Sequence, residues 1–362
     1  MKLYTLTFHY PQNYGAFLQA FALSQKAKAI VVDYSPGWRS KLSNAVGLKG
    51  KRLLPGIWRL LALARLVKIR LCYPYRSKSF PEFERLPRTA SFLSCGNIQR
   101  LRFAAGSAFI AGSDQIWNPR FIEQQESLYF LDFGPKEARR ISYAASLGMK
   151  EWPKPFEEKV LPMLKRFDAI SVREESSVPY LTSLGLKNVV CVCDPTLLHA
   201  GDFYRKAFPY RPIKEKFSFV YRIREVIPEA VQSILLPQNR EIWLSKPWVR
   251  RLPSVTEWLQ SIDCAEFVVT DSFHCAVFCL LFHKPFLVIP NRSTGKGMNE
   301  RFATLLGRTG LENRILSGEE SREEILKKLF PPPDWGRVDA VLKEWRAYSA
   351  EWLENALGTC AV

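Results

Sequence analysis

The feature that most restricts the fold of this chain is a recurrence of short, almost wholly apolar runs separated by segments with helical periodicity. Runs of strand length occur at 3–8, 29–34, 107–111, 141–145, 169–172 and 188–193. After Gly201 they recur at 217–221, 241–244, 267–270 and 286–289. Few of them alternate apolar with polar residues, as a strand with one face in water would. A run that is apolar on both faces belongs to a sheet covered on both sides, and helices between such runs imply parallel connections. Helices are expected at about 16–26, 155–166, 254–265, 273–283 and 299–306. Ser254 and Glu257 have the spacing of a capping box, Pro285 ends one helix, and Pro290 ends a strand. A last helix, about 337–357, puts Val338, Val341, Leu342, Trp345, Tyr348 and Trp352 on one stripe, so it should pack on one domain or across both. At 362 residues the chain is long for a single core. The expected architecture is α/β, with two Rossmann-like domains whose parallel sheets face a cleft; a single larger doubly wound sheet is the alternative. The expected boundaries are 1–200 with a basic helical insertion at 41–105, then 201–335, then 336–362 as the packing helix.

Composition excludes several classes. Hydrophobic residues make up 47% and charged residues 24%, which is globular and not disordered. The longest unbroken apolar runs fall far short of the roughly 20 residues that a membrane-spanning helix needs. The opening residues lack the pattern of a signal peptide, so a cytoplasmic protein is expected. None of the eight cysteines forms a CxxC pair, and the four histidines are not spaced with them as ligands, so reduced thiols and no metal are expected. The net charge of +17 asks for an anionic partner: a nucleic acid, a membrane surface or a phosphorylated substrate. Basic residues are densest at 41–76. In the helical segment expected at 57–72, Arg59, Arg65, Lys68 and Arg70 do not gather on one face, which favours a solvated connecting helix over one lying in a membrane.

In open parallel sheets, ligands bind where strands end and helices begin. Four such turns carry chemistry here: Asn13-Tyr14-Gly15, Gly112-Ser113-Asp114-Gln115, the segment 171–176 around Arg173, and Thr270-Asp271-Ser272-Phe273-His274. In the last, Asp271 or Ser272 is placed to cap a helix whose unpaired N–H groups and dipole favour a phosphate or carboxylate. His274 in its first turn suits phosphate binding or proton transfer, against the plainer alternative of satisfying a buried carbonyl. Arg173 suits bidentate anion binding, or equally an ion pair with a neighbouring carboxylate. Asp114 is a candidate carboxylate or merely a turn cap. Asn13 and Gly15 permit close backbone approach or form a simple turn, and His9 is a minor candidate at the same edge. The chain has no Asp-x-Asp motif, no GxGxxG and no GxxxxGK[ST], so metal-dependent nucleotide-sugar transfer and the common nucleotide-binding loops lack their signatures.

The segments NYGAFLQAFAL (13–23), FIAGSDQIWNP (109–119), SYAASLG (142–148), SVREESS (171–177), DPTLL (194–198), VVTDSFHCAVFCLLFHKPF (268–286) and NERFATLLGRTGL (299–311) resemble the polysaccharide pyruvyl transferase family in order and spacing. The resemblance covers about residues 10–315. It implies a two-domain fold similar to the GT-B glycosyltransferases, and transfer of pyruvate from phosphoenolpyruvate to a sugar as a ketal, in building cell-surface or capsular polysaccharide. It implies no cofactor and no metal, since phosphoenolpyruvate is a co-substrate. The family's donor-contacting arginine and histidine map onto Arg173 and His274, with Ser272 and Phe273 beside them. Some members have arginine where this chain has Ser272, so Arg301 is the candidate for the missing anion contact. The glycine that usually follows the motif histidine is Cys275 here, a departure that leaves the helix N–H groups available. Asp114 is the candidate base. Asn13, Tyr14, Gly15, Gly112, Ser113, Asp114 and Gln115 are the candidate contacts to the acceptor sugar. Acceptors of the family include glycans on lipid-diphosphate carriers, which gives the basic stretch a peripheral role at the inner face of an anionic membrane and leaves nucleic acid without one. Two alternatives remain: a GT-B-like glycosyltransferase using a nucleotide sugar, and a non-enzymatic binder of anionic polymer.

Overall fold

The computed structural model describes residues 2–9, 13–34, 80–91, 98, 101–244, 252–292 and 299–358. The basic segment 41–76 and the helix expected within it lie outside the described residues.

Two sheets form, both parallel throughout. The first has six strands, β1 (Leu3–Leu6), β2 (Ile30–Val31), β3 (Ala108–Ala111), β4 (Arg139–Ala145), β5 (Ala169–Val172) and β6 (Val190–Cys191), in the order β2-β1-β3-β4-β5-β6. The second has four, β7 (Ser218–Arg222), β8 (Arg240–Trp243), β9 (Phe267–Thr270) and β10 (Phe286–Val288), in the order β10-β9-β7-β8. A single sheet, the alternative read from sequence, is not what forms. Both sheets are covered by helices, which is why β3, β5, β7 and β9 bury nearly every side chain.

Four helices hold the two sheets together: α1 (Tyr14–Ala27), α2 (Val255–Cys264), α3 (Phe273–Leu281) and the long α5 (Trp335–Leu357); α4 (Glu300–Thr309) follows the second sheet. One apolar core runs through Phe17, Leu18 and Leu23 of α1, Trp258 and Leu259 of α2, and Val277 and Phe278 of α3. The Tyr14 ring stacks on Trp258 (5.0 Å between centroids, 5° between planes), and its hydroxyl donates to the carbonyl of Pro253 at 2.7 Å. The capping box of α2 forms as read from sequence. Its first turn also receives a buried carboxylate from elsewhere: Glu82 accepts from the Thr256 N–H (3.0 Å) and hydroxyl (2.7 Å). Glu82 lies in the region read as a basic insertion, but 80–89 is a docked strap. Val31 donates to Pro87 and Thr89 donates to Val31 in the manner of a strand pair.

Helix α5 buries Val338, Leu342, Trp345, Ser349 and Leu353. Tyr348, placed on this stripe from sequence, is instead 47% exposed, because a stripe of spacing four and three turns residue 348 away from Trp345 and Ser349. The helix ties down the segment after β6: Ser349 Oγ accepts from Cys193 N–H (3.0 Å), and Arg346 donates to the Leu197 carbonyl (2.7 Å).

Candidate active site

Strand β9 ends in Thr270-Asp271-Ser272, and α3 begins at Phe273. Of the two capping candidates, Ser272 acts: its extended backbone (φ −100°, ψ 123°) leaves Oγ facing Cys275 N–H at 3.4 Å. Asp271 turns the other way and accepts from the N–H groups of Ile223, Arg224 and Glu225 at 2.6, 2.7 and 2.8 Å, which fixes the loop after β7. His274 is buried in the first turn of α3. Its imidazole presses on Gly15 of α1, where a Cβ would lie 2.1 Å from Nδ1. The first-turn histidine of one half therefore meets the helix start of the other.

Around it lies a buried cluster of charges drawn from four strand ends. Arg173, 1% exposed, follows β5 and donates through Nη1 to Asp194 Oδ2 at 2.9 Å. Its Nε lies 3.4 Å from Glu174 Oε1, and its Nη2 lies 3.8 Å from Asp114 Oδ1. His274 Nε2 lies 3.5 Å from the same Asp194 oxygen, too long for a strong hydrogen bond but close enough for an ion pair. Asp114, three residues past the end of β3, lies in the left-handed region (φ 67°), an uncommon conformation for a non-glycine residue, with its carboxylate beside Arg173. Burial pushes the Asp194 carboxyl up, but the charges of His274 and Arg173 and the Thr196 hydroxyl outweigh it and hold the group far below the usual carboxylate range.

Among the described residues, Arg301, in the first turn of α4, is the cation of this cluster with no carboxylate paired to it. Its guanidinium lies 5.7 Å from the centre of the Phe273 ring, and Arg173 lies 4.6 Å from the same ring. Burial, and after it the charge of Arg173, push the Arg301 guanidinium down to about 10. Among the described residues, Arg301 Nε, Arg173 Nη2, His274 Nε2 and Glu174 Oε2 are buried without a hydrogen-bond partner. Buried polar atoms are almost always paired, so four orphans in one cluster point to a polar guest. Glu175 secures α4 to the Arg173 turn, its N–H donating to Thr304 Oγ1 (3.1 Å) and its carboxylate pairing with Arg308.

The residues read as acceptor contacts divide. Gly15, Ser113 and Asp114 join the charged cluster, Ser113 by donating to Asp194 at 3.2 Å. Asn13 caps α1 through Ala16 N–H (3.2 Å) and is partly exposed. Tyr14 is buried between the sheets, Gly112 packs where a Cβ would lie 2.8 Å from Thr7, and Gln115 accepts from Asn118 at 2.7 Å. His9 stands apart, its ring nitrogens against the Thr7 carbonyl (2.9 Å) and Asp33 (3.0 Å). Asp194 was not singled out from sequence as a site residue. The available signal was its place at a strand end, the same grammar as Asp114. Among the described residues no group of His, Cys, Asp or Glu is arranged to hold a metal ion, and no helix is long and apolar enough to cross a membrane.

Two parallel sheets covered by helices meet over a buried cluster of guanidinium, imidazole and carboxylate groups. The chain belongs to the polysaccharide pyruvyl transferase family, whose model matches residues 13–293, and it is accordingly a transferase. No curated protein matches it. Among solved structures, an S. aureus MnaA–UDP complex is similar at 13% identity and a TM-score of 0.49, over 100% of this chain and 98% of that one. A UDP-GlcNAc 2-epimerase from Neisseria meningitidis bound to UDP-GlcNAc is similar at 10% identity and a TM-score of 0.44, over 99% and 100%. The spinosyn rhamnosyltransferase SpnG with thymidine diphosphate is similar at 14% identity and a TM-score of 0.41, over 98% and 99%.

Proposed function

We propose that this enzyme transfers pyruvate from phosphoenolpyruvate to two hydroxyls of a sugar, forming a cyclic ketal in the synthesis of a cell-surface or capsular polysaccharide. The observation that carries the reading is the cluster of buried, unpartnered donors on Arg173, Arg301 and His274 beside a capped helix N-terminus. Phosphoenolpyruvate bears a phosphate and a carboxylate, and it needs cations at both ends. Arg173 and Arg301 flank Phe273 and serve the anionic groups, while Ser272 sets the helix start that presents its N–H groups.

The enol phosphate is unreactive until C3 takes a proton, which generates oxocarbenium character at C2. One sugar oxygen then bonds to C2, and a second replaces the phosphate oxygen there. Of the two hydroxyl protons released, one balances the proton gained at C3 and the other leaves with phosphate. His274 is the acid for C3 or for the departing phosphate, and Asp114 is the base for the first hydroxyl. All transferred atoms come from the two substrates, so the transfer needs no group-carrying cofactor. In this reading residues 1–200 form the acceptor side, with Asn13, Gly15, Ser113 and Asp114 toward the sugar. Residues 201–335 form the donor side, and 336–362 brace both.

The acceptor class is a glycan, including one carried on a lipid diphosphate, and the enzyme then works in the cytoplasm at the inner membrane face. The basic segment 51–76, outside the described residues, is the proposed contact with anionic lipid. Salt-sensitive binding to anionic vesicles that is lost when Arg65, Lys68 and Arg70 become Gln supports this, and salt-independent behaviour refutes it. The donor reading is tested by incubating the protein with phosphoenolpyruvate and galactosyl, mannosyl or N-acetylhexosaminyl acceptors while following phosphate release and acceptor mass. Binding of a nucleoside diphosphate with neither binding nor turnover of phosphoenolpyruvate would overturn it.

A further inference from the structure

Asp194 is the one carboxylate in the cluster that reaches both an arginine from the first sheet and the histidine from the second. Oδ1 accepts from the Thr196 N–H at 3.0 Å and from its hydroxyl at 2.6 Å. Oδ2 accepts from Arg173 Nη1 at 2.9 Å and Ser113 Oγ at 3.2 Å, and faces His274 Nε2 at 3.5 Å. The side chain is wholly buried and both oxygens are occupied, so it offers no lone pair to a substrate. Asp114 and Glu174 differ: Asp114 meets Arg173 only at 3.8 Å, and Glu174 keeps one oxygen without a partner.

The scaffold around Asp194 is built for rigidity. Pro195 opens a tight 3-10 turn (Pro195–Leu198) that Asp194 caps, and that turn is clamped from behind by α5 through Arg346 to Leu197 and from Tyr204 to the Thr196 carbonyl at 2.8 Å. The carboxylate therefore sits where α5, β3, β5 and α3 converge. Its Oδ1 is fixed by Thr196, which belongs to neither substrate pocket.

We infer that Asp194 is the positioning residue of the proposed transfer, holding the imidazole of His274 and the guanidinium of Arg173 in one fixed geometry across the junction of the two sheets. This rests on the phosphoenolpyruvate reading given above. A carboxylate that only neutralised Arg173 would matter through donor binding alone. One that also orients His274 matters to the chemical step, and its effect must pass through His274. Asp194 after β6 faces the imidazole directly, and the other charged groups of the cluster are Arg173 with Glu174 after β5, Asp114 after β3, and Arg301 on α4 beyond Phe273.

The test is a double-mutant cycle in steady-state phosphate release, with Asp194→Asn, His274→Asn and the pair. Asp194→Asn is expected to lower kcat by about a hundredfold, the scale of a misplaced reacting group, and to raise KM for phosphoenolpyruvate less. In the His274→Asn background the same change is expected to cost kcat almost nothing more. Losses that multiply independently, or a change in KM alone, overturn the inference. If Asp194→Asn does not fold, Thr196→Val serves in the same cycle: it removes the shortest hydrogen bond to Asp194 and leaves the charge in place. It is expected to lower kcat severalfold only while His274 is present, and an equal loss in both backgrounds overturns the inference. Wild-type protein that neither binds nor turns over phosphoenolpyruvate defeats the donor reading and this role with it. Turnover with additive losses defeats the role alone.

Discussion

Replacing Gly15 with alanine perturbs the contact between the two halves at a single atom. The added Cβ would lie 2.1 Å from His274 Nδ1, 2.5 Å from Cγ and 2.9 Å from Cβ. Non-bonded heavy atoms settle at about 3.5–4.0 Å, so the ring has to move by roughly 1 Å or more. The direction of the stability change follows from two opposing terms. Alanine in a helix is better than glycine by up to about 1 kcal/mol. Overfilling a packed contact costs about 1–3 kcal/mol, so the net change is a loss of at most about 3 kcal/mol, below the stability of a typical domain. Catalysis is far more sensitive, because a displacement of about 1 Å at a reacting group costs on the order of a hundredfold in rate. The assay is phosphate release from phosphoenolpyruvate with acceptor present, run beside thermal unfolding of the same sample. The expected outcome is folded protein with kcat reduced by about two orders of magnitude. In a His274→Ala background only the 2.9 Å approach to the Cβ of residue 274 remains, and Gly15→Ala should then cost less stability than in the wild type. A Gly15→Ala enzyme with wild-type kcat would refute the placement of His274 against α1.

Arg301→Met removes a buried guanidinium that the fold disfavours. Because the folded group titrates near 10, below its ordinary value, its charge costs stability at every pH below about 10, and the cost lifts only above that. At neutral pH the variant should therefore unfold at higher temperature, by the equivalent of about 1–3 kcal/mol, and bind phosphoenolpyruvate more weakly, as calorimetry would measure. Glu82→Ala strips the second cap from α2 and should cost about 1–2 kcal/mol in denaturant unfolding, with donor affinity unchanged. Tyr14→Phe leaves the Pro253 carbonyl unpaired and should cost about 1 kcal/mol without moving the acceptor KM. A raised acceptor KM would instead place the Tyr14 hydroxyl on the sugar. Glu175→Ala removes the carboxylate that pairs with Arg308 of α4 but keeps the N–H bond to Thr304, and its effect should appear as a modestly higher KM for phosphoenolpyruvate.

Much of the fold was legible because its signals are local. Strand β9 has the same bounds in sequence and structure, the Ser254–Glu257 capping box forms, and the two-sided apolar runs became two parallel sheets. The errors came where local pattern is silent. Tyr348 is apolar enough to sit on a stripe, yet the face of α5 that is buried depends on what α5 packs against. Residues 80–89 read as part of a charged insertion, and only their docking on β2 and α2 reveals Glu82 as a cap.

For the site, the sequence by itself determined which turns carry chemistry: glycine, arginine, histidine and carboxylate at strand ends are local choices, and each was visible alone. Tertiary structure decided which of them meet. Asp271 and Ser272 are adjacent and equally fit to cap α3, but the loop after β7 supplies three N–H groups to Asp271 and leaves the cap to Ser272. Arg173, Asp194 and His274 come from three separate turns, and Gly15 from a fourth. Their convergence is set by the packing of α1, α3 and α5 between the sheets, and charge–charge attraction at 3–4 Å cannot be read from residues so far apart along the chain.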